Sequence, residues 1–143
     1  MSGERGQALL IAALIIGIGA LAIVGLRVVQ DRVLASAQTQ SAGEAAVEAA
    51  AAVIADAYIA QLDSLRVHAF DVPRPTVDVA GMLAHPATLE AARAAASEAA
   101  ARNGDVFDGV VEARCVGTTI EIQLDHAGRQ HRAALPVDSC SRR

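Results

Sequence analysis

Two cysteines and four histidines are the residues of this chain whose chemistry could reach beyond packing, and their spacing separates the possible roles. Cys115 and Cys140 stand alone, with no further cysteines and no histidines at zinc-knuckle spacing. Outside a membrane such an even pair reads as a disulfide rather than as metal ligands. The open alternative is two unpaired thiols, one of them a small core residue. His68, His85, His126 and His131 are scattered. The closest two, His126 and His131, flank a glycine-containing turn without a metal spacing, and are expected as solvated loop and strand residues. There is no Gly-x-Ser-x-Gly elbow, phosphate loop or nucleotide fingerprint. Gly17-Ile18-Gly19 lies inside an apolar run and cannot cradle a phosphate. The residues therefore predict no enzyme, no cofactor, no metal and no small-molecule substrate.

The composition narrows the classes further. Apolar residues make up 53% of the 143 positions, aromatics 2%, and all 12 basic residues are arginine against 16 acidic ones. A nucleic-acid binder needs a basic footprint and aromatic stacking platforms, so a chain of net charge −4 with so few aromatics is not expected to bind nucleic acid. High apolar content with modest charge also argues against disorder over most of the length.

The apolar residues are concentrated. Ala8–Leu26 is uncharged between Arg5 and Arg27, and 11 of its 19 residues are Leu, Ile or Val. At 1.5 Å per residue this helix is about 28 Å long, close to the hydrocarbon thickness of a bilayer. The large side chains favour insertion by about 3–7 kcal/mol. A buried soluble helix would need large apolar elements to surround it, and the chain has none. A cleaved secretory signal is the stronger rival. Its core is normally shorter and ends at small residues, whereas this run ends in Arg27-Val28-Val29-Gln30-Asp31-Arg32. An uncleaved anchor is the expectation, with membrane lipid as its partner. The positive-inside count is close to a tie, because Arg5 lies on one side and Arg27 and Arg32 on the other. Oxidised cysteines would place the C-terminal part outside the cytoplasm. Within the run, Ala13, Gly17 and Ala20 form a small-residue strip that either admits another membrane helix or simply faces lipid.

Beyond the anchor, 27–66 keeps a helical pattern without proline. Val47, Ala51, Ile54, Tyr58, Leu62 and Leu65 fall at helical intervals on one stripe, with Glu44, Glu48, Asp56 and Asp63 largely off it. The stripe packs against its own C-terminal domain, against neighbouring subunits, or both. Thr39-Gln40-Ser41 followed by Gly43 forms a weak helical patch where a hinge could sit. Pro73 and Pro75 make 67–85 a linker loop with little regular structure. Pro86 suits the first turn of a helix that Asn103-Gly104 ends.

The remaining residues change from helical period to alternation. Val111, Ala113 and Cys115 share one face; Ile120, Ile122 and Leu124 follow; Asp125–Arg129 reads as a turn; Ala133, Leu135 and Val137 alternate again, with Pro136 suited to an edge. Three strands with short turns predict an antiparallel meander with one apolar face. In a 1-2-3 meander the first and third strands are about 9–10 Å apart, too far for a direct bridge, but Cys140 lies beyond the third strand and can curl back toward Cys115. The expected fold class is α+β: cytoplasmic residues 1–7, a transmembrane helix over 8–26, a stalk helix over 27–66, the linker over 67–85, and a helix with a three-stranded meander over 86–143.

Three stretches resemble a known family. Glu4-Arg5-Gly6-Gln7-Ala8-Leu9-Leu10-Ile11 is similar to the charged, Arg-Gly-led entry into the membrane helix of TadE/TadG-like proteins, pilin-like components of the tight-adherence (Flp) pilus machinery. Gln38-Thr39-Gln40-Ser41-Ala42-Gly43-Glu44-Ala45-Ala46-Val47-Glu48-Ala49-Ala50 resembles that family's alanine-rich stalk. Ala99-Ala100-Ala101-Arg102-Asn103-Gly104, leading into strands with Cys115, resembles its short actinobacterial members. The resemblance implies a bacterial single-pass protein of the cytoplasmic membrane with its N-terminus inside and a small pilin-like α+β domain outside. It also marks Gly6-Gln7 as the position for prepilin peptidase. Flp-type prepilins and TadE-like pseudopilins carry a glutamate five residues past that glycine, and Ile11 stands there here. The TadG-like pattern, which often lacks the acid, fits better, and the first six residues are expected to be retained.

The expected function is that of a structural or assembly subunit, a minor pilin-like membrane protein of a Tad/Flp pilus or related secretion system. Its expected partners are other pilin-like subunits or Tad assembly membrane proteins. The alternative is a bitopic extracytoplasmic binding or sensor module unrelated to pili. A filamentous-phage-like coat protein is more distant, since such proteins are shorter and lack a disulfide domain.

Overall fold

A computed structural model describes residues 3–68, 76–137 and 140, and for residues 3–11, 67 and 68 the backbone alone. The elements are α1 (Gly3–His68), α2 (Val79–Ala84), α3 (Pro86–Arg102), β1 (Val111–Val116), β2 (Thr119–His126) and β3 (Arg129–Pro136). The fold is therefore α+β, and the chain divides into two units, Met1–Ala37 and Gln38–Arg143.

The first unit is the N-terminal part of α1. None of its apolar window is buried, and it is long and apolar enough to cross a membrane. The expected hinge at Gln38–Gly43 is not a break in secondary structure, because α1 is helical through those residues.

The second unit forms its core from the rest of α1, the shorter helices and one sheet face. The sheet has the order β1-β2-β3, antiparallel throughout. Ile120, Ile122 and Leu124 of β2 are 0–2% exposed, and Val111 supports them from β1. Against them lie Ala42, Ala46, Val47, Ala50 and Ile54 of α1, spaced so that one helical face meets the sheet. The expected stripe thus begins a turn earlier than the larger side chains suggest. Its later members, Tyr58, Leu62 and Leu65, are half-buried against the same core.

Helix α3 presents Ala92, Ala96, Ala99 and Ala100 inward, and methyl side chains let a backbone lie close to its neighbours. Pro86 occupies its first turn, where a missing N–H costs nothing. Gly104, at φ 76°, carries the chain out in the left-handed conformation.

Two sequence expectations need correction. Residues 67–85 are not an irregular linker throughout, since α2 occupies Val79–Ala84; Pro73 and Pro75 lie outside the described residues. The Asp78 carboxylate accepts from the Gly81 N–H at 2.9 Å and caps that helix, while Val79, Met82 and Leu83 enter the core. The turn expected over Asp125–Arg129 contracts to Ala127-Gly128, both at positive φ, as a two-residue hairpin requires. Strand pairing thereby gains Asp125, His126 and Arg129.

Candidate functional site

The sites expected from sequence fall into a cysteine bridge, an exposed apolar helix and a packed stripe. Cys115 is the fifth residue of β1, and Cys140 follows β3 by four positions. Val137 N–H donates to the Thr118 carbonyl at 2.9 Å and Cys140 N–H to the Gly117 carbonyl at 3.1 Å. These bonds turn the chain across the strand ends, and the two cysteines form a disulfide with Cα atoms 5.3 Å apart. The bridge joins the first strand to the chain beyond the third, closing the sheet at that end.

The membrane-facing candidate is α1 upstream of Ala37. Leu14, Ile16, Leu21 and Ile23 each expose 63–74% of their surface. A continuous sleeve of this kind exceeds the scattered apolar exposure of soluble proteins. Ala13, Gly17 and Ala20 are exposed on the same segment, and a side chain at Gly17 would meet open space. Gly6 and Gln7 lie in the part of α1 whose side chains are outside the described residues.

Two histidines depart from expectation. His126 is 2% exposed and His131 9%, so neither is a solvated loop or strand residue. Both continue the inward parity of their strands: His126 follows Ile120, Ile122 and Leu124, and His131 is paired with Leu124. The His131 ring lies directly over Gly43 of α1, where a Cβ would overlap it. Gly43 therefore serves close approach of helix and sheet rather than a hinge.

His126 meets the loop after α3. Its Nε2 lies 3.1 Å from the Asp105 carboxylate, and its ring is 5.9 Å from that of Phe107. Asp105 also accepts from the Val106 N–H at 2.8 Å and from the Thr39 hydroxyl of α1. The Gln38 amide donates to the Asn103 and Gly104 carbonyls at 3.3 and 3.2 Å. Consecutive polar residues of α1 thus grip the end of α3 and its loop, which then hold the β2–β3 hairpin.

Hydrogen bonding from Val106, then from His126, keeps the Asp105 carboxyl below its ordinary range. A folded-state pKa below the unfolded one stabilises the fold above the unfolded value and is lost as pH falls through the folded one. Thermal melting of the full chain in detergent is accordingly expected to show Tm falling below about pH 4, more steeply for wild type than for Asp105→Asn. Equal slopes in the two proteins would contradict this role.

Among the described residues, no group of three or more His, Cys, Asp or Glu side chains is arranged to hold a metal ion. The His126–Asp105 pair, buried at the imidazole, ties the β2–β3 hairpin to the loop after α3. Comparison with known proteins finds no matching family model, no matching curated protein and no matching solved structure.

Proposed function

We propose that the protein is a structural or assembly subunit of a TadE/TadG-like kind, a minor pilin-like membrane protein serving a Tad/Flp pilus or related secretion system. The observation that carries the reading is one apolar helix, exposed over about a bilayer's thickness, on a chain whose other unit is a small disulfide-closed α+β domain. In this reading the N-terminus is cytoplasmic and Gln38–Arg143 lies outside, where the Cys115–Cys140 bond can persist. The family resemblance at Glu4–Ile11 and Gln38–Ala50 supplies the pilus machinery as the partner class.

Deletion of the gene is expected to abolish or sharply reduce surface pili and tight adherence, with a plasmid-borne copy restoring both. Normal pili and adherence in the deletion strain would overturn the assignment and favour an extracytoplasmic binding module. Processing provides a separate check. With Ile11 in place of the glutamate, Edman sequencing of the mature protein is expected to find the first six residues retained. Gln7 as the dominant first residue would show that prepilin peptidase accepts this sequence.

A further inference from the structure

The two outer strands of the sheet treat their free edges differently. In β3 the Thr118–Val137 bond sets the parity, so Gln130, Arg132, Ala134 and Pro136 direct their backbone groups away from β2. Pro136 has no N–H to offer, and Arg129 and Arg132 put two like charges on that strand. Such an edge discourages pairing.

The edge of β1 has neither a proline nor a pair of like charges, and α2 and α3 are the helices that pack beside the strand. Val116 pairs with Thr119 across the two-residue turn, so Val111, Ala113 and Cys115 point their N–H and C=O groups outward. Among the described residues, none of these groups bonds to backbone elsewhere in the chain. Open grooves of about 420 and 280 Å³ flank the strand, the first beside Leu89 and Val110, the second beside Leu83 and Ala84. The solvent face of this stretch reads Val110, Glu112, Arg114, Val116, with the valines 64% and 47% exposed. Arg114 already pairs with Glu121 of β2 at 2.7 Å, whereas Glu112 has no ion pair among the described residues.

That order is self-complementary. We propose that β1 is a homodimer edge, pairing antiparallel with β1 of a second copy about a two-fold axis at Ala113. In this register the outward backbone groups of Val111, Ala113 and Cys115 meet those of Cys115, Ala113 and Val111 in the second copy. The parity is the hydrogen-bonding one. On the solvent face Glu112 falls opposite Arg114 of the second copy, and Val110 opposite Val116. Each Arg114 then lies between two carboxylates, its own Glu121 and the other copy's Glu112. Opposite charges and apolar pairs directly across strands favour this register over its neighbours. A shift by one residue would bring inward-parity backbone against outward and lose the bonds. The occupant is a second copy because the row complements itself, and the interface does not depend on service to a pilus.

The test uses the full chain in detergent, with two distinguishable tags and sedimentation equilibrium. Wild type is expected to dimerise. Glu112→Arg sets arginine against arginine at both symmetry-related cross-strand positions, and Arg114→Glu sets carboxylate against carboxylate at the same two. Each variant alone therefore loses dimer affinity by about tenfold or more. Mixed together they form a heterodimer, because every cross-strand position can then avoid the like-charge pairing that both homodimers force: one strand carries only arginines there and the other only glutamates. Circular dichroism and an intact disulfide establish that each variant is folded. Should Arg114→Glu fail to fold, having lost its Glu121 partner, Glu112→Arg decides alone, since its wild-type side chain is exposed and unpaired. A monomeric wild type, a Glu112→Arg dimer as tight as wild type, or two folded variants that fail to associate would each overturn the proposal.

Discussion

Replacing Cys115 or Cys140 by serine is expected to lower the stability of the Gln38–Arg143 unit by about 2–5 kcal/mol. The bond closes 25 residues, and on the chain-entropy model a loop of that size is worth roughly 3–4 kcal/mol. The unit has little in reserve. Among the described residues its largest fully buried side chains are Ile54, Ile120, Ile122, Leu124 and Val79, and much of the remaining core is alanine. The apolar part of α1 is unaffected by the change, so on the proposed function the damaged protein still reaches the membrane. The effect should appear as rapid clipping by added protease and a lower denaturant midpoint, with serine at either position giving the same result. Wild-type resistance in both variants would mean that Val137 and Cys140 backbone bonds alone hold the chain end.

A comparable loss is expected at a site far from the bridge. Ile54→Ala removes most of a side chain that is 0% exposed between α1 and the sheet, and such truncations cost about 2–5 kcal/mol. Ile59, one and a half turns further along α1, is 53% exposed, and Ile59→Ala should change stability by less than about 0.5 kcal/mol. Denaturant unfolding of the two variants separates packing within the chain from packing against a neighbour. If the stripe acted mainly between subunits, Ile54→Ala would leave the dilute protein as stable as wild type.

The sequence carried the strands plainly because alternation survives wherever one face is buried. Val111, Ala113 and Cys115, then Ile120, Ile122 and Leu124, give the register without further help. The histidines were hidden by their type, since an imidazole beside Asp125 or Gln130 resembles a surface residue. Extending the alternation two positions past Leu124 would have placed His126 inside. Likewise, the parity of Ala133 and Leu135 carries back to His131. The helix core was partly hidden for the opposite reason. Ala42, Ala46 and Ala50 are wholly buried, but alanine is so common here, at 33 of 143 positions, that its spacing carries no signal.

Gly43 shows where local propensity misleads. Read alone, a glycine after Thr39-Gln40-Ser41 weakens a helix. In the fold it is the residue over which His131 can sit, and that requirement comes from a strand far along the chain. Helix α2 is not legible in the sequence because six residues are too few to show a period, although the Asp78 cap and the spacing of Val79, Met82 and Leu83 are present. The grip of Gln38 and Thr39 on the α3–β1 loop had no local signature, since its partners are carbonyls and a carboxylate brought close only by folding.

Everything proposed about function rests on the exposed apolar part of α1 lying in a bilayer, and alkaline carbonate extraction of membranes from cells producing the full chain measures this directly. Intact protein, still carrying its apolar N-terminal segment, is expected to stay in the membrane pellet through carbonate and high salt and to be released only by detergent. Recovery of the intact chain in the carbonate supernatant, or of a soluble form that has lost the apolar segment, would contradict it.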